Sequence, residues 1–258
     1  MNRRLMLISA AALLGAAGLS GHAAAALSVG ADAKFAALSL IGDSINVVTF
    51  QPTLGSKMDR NIKQSAAITN APFDVTALRA IQASVKQAMG AAEVLLYRSP
   101  SIELFGDPWA LFDGSKLVLP PDLVAAMKKD GASHLLLLTR NRQDAKLATT
   151  QGSVGSGRLE GIGFYVDRQK RMNNSATQES GIGFLAPYTY LQLSLVDLSN
   201  AQVLQQQSIS SSQTIGSPRS EDGFDPWKAL SPEEKVSTLE RMIEREVGQT
   251  VLELIKPN

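Results

Sequence analysis

The sequence predicts an α/β fold: one domain with a mixed sheet, antiparallel in its second half, helices mainly on one face and an amphipathic C-terminal helix. Three observations carry this. Residues 34 to 139 pass twice from strand-like to helix-like periodicity and back, as strand-helix-strand units do. Residues 158 to 209 hold period-two patterns joined by turn residues. The last segment repeats apolar residues at helical spacing behind a capping signal.

Each element follows from local residue choice. From Lys34 to Phe50, strand-forming apolar residues flank Gly42-Asp43-Ser44, which predicts one long bent strand or a hairpin pair. Asp74 caps a helix with Val75, Leu78, Ile81, Val85 and Met89 on one face, and Gly90 stops it. A strand follows over 93–98. Pro121 and Asp122 open a second helix to Lys129, and Gly131 ends it. His134 to Thr139, with four consecutive leucines, reads as a buried strand. Strands are expected from Arg158 to Asp167 and from Thr189 to Leu198, then a tight turn at Ser199-Asn200 and a returning strand from Val203 to Ile209. Ser231-Pro232-Glu233-Glu234 supplies an N-cap, a proline at the first helical position and a capping-box glutamate for the last helix.

The N-terminus reads as an address. Asn2-Arg3-Arg4, an apolar run from Leu5 to Leu19 and the alanines from Ala23 to Ala26 form a secretory signal peptide over 1–26, leaving 27–258 as the domain. The apolar run is interrupted by Ser9, Gly15 and Gly18 and falls short of the ~20 residues of a bilayer-spanning helix. No later stretch spans, which leaves surface contact as the only expected relation to a membrane. With no cysteine there is neither a lipidation site nor a disulfide framework, and the expected location is the bacterial periplasm after Sec-type export. Removing Arg3 and Arg4 leaves 23 basic against 24 acidic residues. No Lys/Arg cluster of the kind that neutralises phosphates is present, so nucleic acid is excluded as a partner.

The chain offers little for catalysis. Leu38-Ser39-Leu40-Ile41-Gly42-Asp43-Ser44-Ile45 resembles the first block of the SGNH, or GDSL-type, esterases, in which a Gly-Asp-Ser at a strand end presents the nucleophilic serine. The resemblance implies Ser44 as nucleophile, beside Asp43. The base would have to be His134, since the other histidine, His22, leaves with the leader. That family draws its histidine from a C-terminal Asp-x-x-His block, whereas His134 lies mid-chain and follows Asp130 by four residues. A turn between strand segments is therefore the favoured reading, with an esterase using Ser44, Asp43 and His134 as the alternative. One mature histidine and no cysteine predict no metal site. The glycines of 152–157 precede a strand rather than open a helix, so no phosphate loop and no cofactor are expected.

Two repeats stand out. Asp107-Pro108-Trp109 and Asp225-Pro226-Trp227 contain both tryptophans, which either seal the core from capped turns or line a shared contact surface. Gly161-Ile162-Gly163-Phe164-Tyr165 and Gly181-Ile182-Gly183-Phe184-Leu185 flank a polar link, which predicts a projecting hairpin over 158–190. Its contact residues would be Phe164, Tyr165, Phe184, Tyr188 and Tyr190, with Arg168, Lys170 and Arg171 at the tip.

The element order, with the phrase Leu193-Ser194-Leu195-Val196-Asp197-Leu198-Ser199-Asn200-Ala201-Gln202-Val203-Leu204, resembles the fold of three envelope families. These are the curli secretion channel lipoprotein, the lipoprotein activators of penicillin-binding proteins, and the N-terminal domain of the Tol β-propeller protein. The likeness implies a non-enzymatic periplasmic protein that binds or assembles with other envelope proteins. No catalytic residue carries over, and the missing cysteine departs from the lipoprotein pattern.

Overall fold

The Gly42-Asp43-Ser44 break is where the sheet divides. In the computed structural model, which describes residues 33–52, 59–68, 73–150, 152–173, 180–216 and 225–255, β1 (Phe35–Leu40) and β2 (Ser44–Thr49) do not pair with each other. They are the long bent strand of the two forms expected. The leader lies outside the described residues.

β1 lies between two parallel neighbours, β4 (Val94–Tyr97) and β7 (His134–Arg140). β2 lies between antiparallel β3 (Ile62–Ala67) and parallel β11 (Arg158–Asn173). The two halves meet on β12 (Ser180–Asp197), which is long enough to pair with β11 through its first half and with β7 through its second. Along its other side runs antiparallel β13 (Gln202–Ser212), joined through the Ser199-Asn200 turn.

Short strands finish the sheet and its cover. β5 (Phe112–Asp113) and β6 (Lys116–Leu117) form a small hairpin that meets β13 only at Gln202. β8 (Arg142–Asp144) pairs with the start of β11, and β9 (Leu147–Thr149) pairs with β10 (Gly152–Val154). β14 (Ile215–Gly216) pairs with β12.

Side-chain alternation along β12 builds three cores. Leu185, Leu191, Leu193 and Leu195 point to the first face, where α1 (Phe73–Met89) and α3 (Pro232–Leu254) pack together over them. The capping box at Ser231 and Glu234 is complete, so α3 starts where its sequence directs. The opposite face of β12 changes character along its length. Phe184, Ala186, Tyr188 and Tyr190 belong to an aromatic cluster with Tyr165 and Leu147. Val196 and Leu198 belong to an aliphatic cluster with Met127 of α2 (Pro121–Lys129). Between them stand Gln192 and Ser194.

This placement corrects the projecting hairpin. β11 and β12 are central strands, because β2 pairs with β11 over Gly163–Val166 and β13 pairs with β12. Phe164, Tyr165, Phe184, Tyr188 and Tyr190 are accordingly buried. Gly163 is required by the same contact: a Cβ there would land on the Asn46 carbonyl. Arg168, Lys170 and Arg171 sit exposed at a bulge between Asp167 and Arg171, with Arg168 3.1 Å from Asp225. The tip itself, residues 174–179, lies outside the described residues.

Candidate functional site

The esterase constellation does not assemble. His134 pairs with Phe35 at the start of β1, whereas Ser44 follows the end of that strand. At ~3.3 Å per residue, β1 alone keeps them more than about 16 Å apart. His134 Nδ1 is instead 2.8 Å from Ser133 Oγ, and that hydroxyl donates to the Lys34 carbonyl at 3.2 Å. A hydroxyl already donating to a carbonyl has no proton to pass to the imidazole. Burial lowers the His134 pKa, and the Asp197 carboxylate partly opposes it.

The Gly-Asp-Ser segment is a structural clamp. Asp74, at the start of α1, accepts from the Ser39 hydroxyl and from the backbone N–H groups of Ile41 and Gly42 at 3.2 and 3.4 Å. One carboxylate thus fixes the turn between β1 and β2. Burial pushes its pKa up and nearby Asp43 adds to this, while the Ser39 hydrogen bond acts against it. Asp43 is exposed, and its carbonyl accepts from Ile68 N. Among the described residues no group of three metal-ligating side chains comes together.

A different site emerges beside Trp109. Where the second face of β12 turns polar, Thr139 of β7, Gln192 of β12 and Ser208 of β13 lie abreast. Ser208 Oγ and Asn141 Nδ2 bond Gln192 Oε1 at 3.0 and 3.3 Å, and Gln206 Nε2 bonds Ser194 Oγ at 3.0 Å. Over this floor opens a groove of about 590 Å³, walled by Trp109, Phe112 and Arg140 and bounded by residues Val203 to Gln206 of β13.

The wall is built to hold still. Asp107 accepts from Trp109 N at 3.0 Å and caps the 3₁₀ turn Pro108–Leu111, with Pro108 fixing its first φ. Arg140, at the end of β7, donates through Nη2 to the carbonyls of both Phe105 and Gly106 and so ties the turn to the sheet. The indole that this arrangement positions is nevertheless 68% exposed. Among the described residues, three of the six exposed large apolar side chains, Ile102, Trp109 and Val118, fall on this one covering segment.

Sequence reasoning singled out Trp109 but not the groove. Its floor joins β7 to the β12–β13 hairpin about 50 residues later in the chain, and only the uncharged run from Gln205 to Ser212 signalled it.

No family model matches the chain, and no curated protein matches it. Several solved structures are similar to it. PelC from Paraburkholderia phytofirmans, solved as a dodecamer, is 9% identical over 90% of this chain and 94% of that one, with a TM-score of 0.38. A neuraminyllactose-binding hemagglutinin homolog from Helicobacter pylori is 9% identical over 87% and 88%, with a TM-score of 0.43. A DUF330 protein from Xanthomonas campestris is 10% identical over 86% and 81%, with a TM-score of 0.29.

Proposed function

We propose that this chain is an exported, non-catalytic protein of the bacterial cell envelope, working in the periplasm, and that it binds other envelope proteins at the groove beside Trp109. The leader pattern over 1–26 supports the location. The observation that carries the binding reading is Trp109 itself. A large aromatic ring left exposed on a capped and tied turn is costly to keep in water and is the side chain most suited to anchor a partner. The family resemblance in element order points to the same kind of work.

In-cell photocrosslinking from position 112, inside the groove, tests this. A specific protein adduct in the periplasmic fraction is expected, absent when the crosslinker is placed at exposed position 244 on the last helix and lost in Trp109→Ala. Equal adducts from both positions would overturn the reading.

A further inference from the structure

We infer that the groove receives its partner as an extended peptide that adds a strand to the open edge of β13. The inference rests on the binding reading above and names how that partner is held. Its first support is topological. β13 pairs with β12 through most of its length, but on its outer side only Gln202 meets another strand, at Lys116 of β6. Among the described residues no strand pairs with that edge from Gln205 to Ser212, and β9 touches only its far end, where Ala148 N donates to Ser212 Oγ at 2.9 Å. An edge of this kind presents a row of backbone donors and acceptors whose natural complement is another strand.

The fold already shows the docking geometry. Val203 N donates to the Ser115 carbonyl at 2.8 Å and Leu117 N to the Ala201 carbonyl at 2.9 Å, so β6 occupies the first position of the edge. It then stops, and the groove opens at Val203 to Gln206, where it left off. The pairing of β12 with β13 shifts register at this point, Leu195 facing Gln205 and Val196 facing Val203, which leaves Leu204 as a bulge. Bulges of this type commonly mark the end of one pairing and the border of a site.

The composition of the edge is the second support. Long exposed strands are normally protected by a charge, a proline or brevity. The other open edges of the sheet follow that rule: β3 carries Lys63, paired with Asp59 at 2.7 Å, and β4 has four residues followed by Arg98 and Pro100. β13 reads Gln-Val-Leu-Gln-Gln-Gln-Ser-Ile-Ser-Ser-Ser, with neither charge nor proline in eleven residues. An uncharged edge bordered by the exposed indole of Trp109 fits an uncharged, proline-free extended segment bearing one apolar side chain for Trp109.

Gln206 and Gln207 are neighbours on β13, so one directs its backbone N–H to β12 and the other to the open edge. Gln206→Pro and Gln207→Pro, each beside its alanine control, separate these roles. The proline that breaks the β12 ladder lowers the melting temperature, and the other identifies the outward position. The probe is a ten-residue peptide selected from a random library on the full chain for binding that requires Trp109, then resynthesised with N-methyl groups on alternate residues in either phase.

Strand addition predicts that one methylated phase loses about tenfold or more in affinity and the other less than about twofold. The outward proline variant should lose about tenfold while its alanine control does not. Equal losses in both phases, or full binding by the outward proline variant, would overturn strand addition and leave the groove as the binding site. If selection gives no Trp109-dependent peptide and position 112 also gives no specific adduct, the binding reading itself fails. If adducts form without any such peptide, only strand addition is overturned.

Discussion

The two Asp-Pro-Trp turns have one local structure and two fates. Asp107 and Asp225 adopt φ/ψ of −97°/110° and −98°/111°, and each side chain accepts from the backbone N–H of its tryptophan, at 3.0 and 3.1 Å. Both open a 3₁₀ turn with proline at its first position. Trp227 then packs on the first-face core, edge-on to Phe164 with centroids 5.8 Å apart and under the Lys235 ammonium at 4.4 Å. Trp109, on the other face, is left beside the groove. The tripeptide encodes the turn, and the neighbours decide whether the ring is a core residue or a contact residue. A protein that needed only to seal its core from both turns would bury both rings.

Substitutions can break this contrast, and the largest effect belongs to the packed ring. Trp227→Ala removes the partner of Phe164 and the ring beneath the Lys235 ammonium, and should cost about 2–3 kcal/mol by chemical denaturation. A cost below about 0.5 kcal/mol would mean that the two turns do not differ in their stake in the core.

The next effect falls on the anchor of the exposed ring. Arg140→Ala frees the carbonyls of Phe105 and Gly106 and should cost about 1.5–2 kcal/mol, with faster amide exchange through 107–112. Unchanged exchange there would show that Asp107 and Pro108 suffice to hold Trp109.

A pH titration separates the turns without removing either ring. Burial lowers the Lys235 pKa below its usual 10.5, although Asp225 and Glu234 pull it back. The folded state therefore binds this proton more weakly than the unfolded state. Stability from this group is reduced at neutral pH, rises as pH climbs through the lowered pKa, and levels off above 10.5. Lys235→Met should remove that rise from the melting-temperature profile. An identical slope in wild type and variant on the alkaline side up to about 10.5 would show that packing against the Trp227 turn does not desolvate the ammonium.

Much of the fold was legible because strand and helix periods differ. The bent strand, all three helices and the Ser199-Asn200 hairpin appear where local pattern puts them. The hairpin strand expected at 181–185 and the strand expected from Thr189 are one element, β12, because β11 pairs with it across Pro187. Sequence pattern alone points the aromatic residues of 164–190 to a surface for a related reason. Alternation shows that a strand has two faces but not that both are covered: one cover, β8 to β10, is a run of very short strands just before β11, and the other, α1 with α3, is distant in sequence. The groove was least legible, since its aromatic wall and amide floor meet only after three strands have paired.

The smallest effect on stability is expected at the exposed ring, and it is the most telling. Trp109→Ala takes away a side chain that touches mostly water, so unfolding free energy should stay within about 0.5 kcal/mol of wild type. The groove adduct from position 112 should disappear in the same variant. A residue that contributes almost nothing to folding, yet is capped by Asp107, preceded by Pro108 and tied down through Arg140, is positioned for something outside its own chain. A large loss of stability instead would place Trp109 with Trp227 as a second core plug, and the difference between the turns would reduce to the depth at which each is buried.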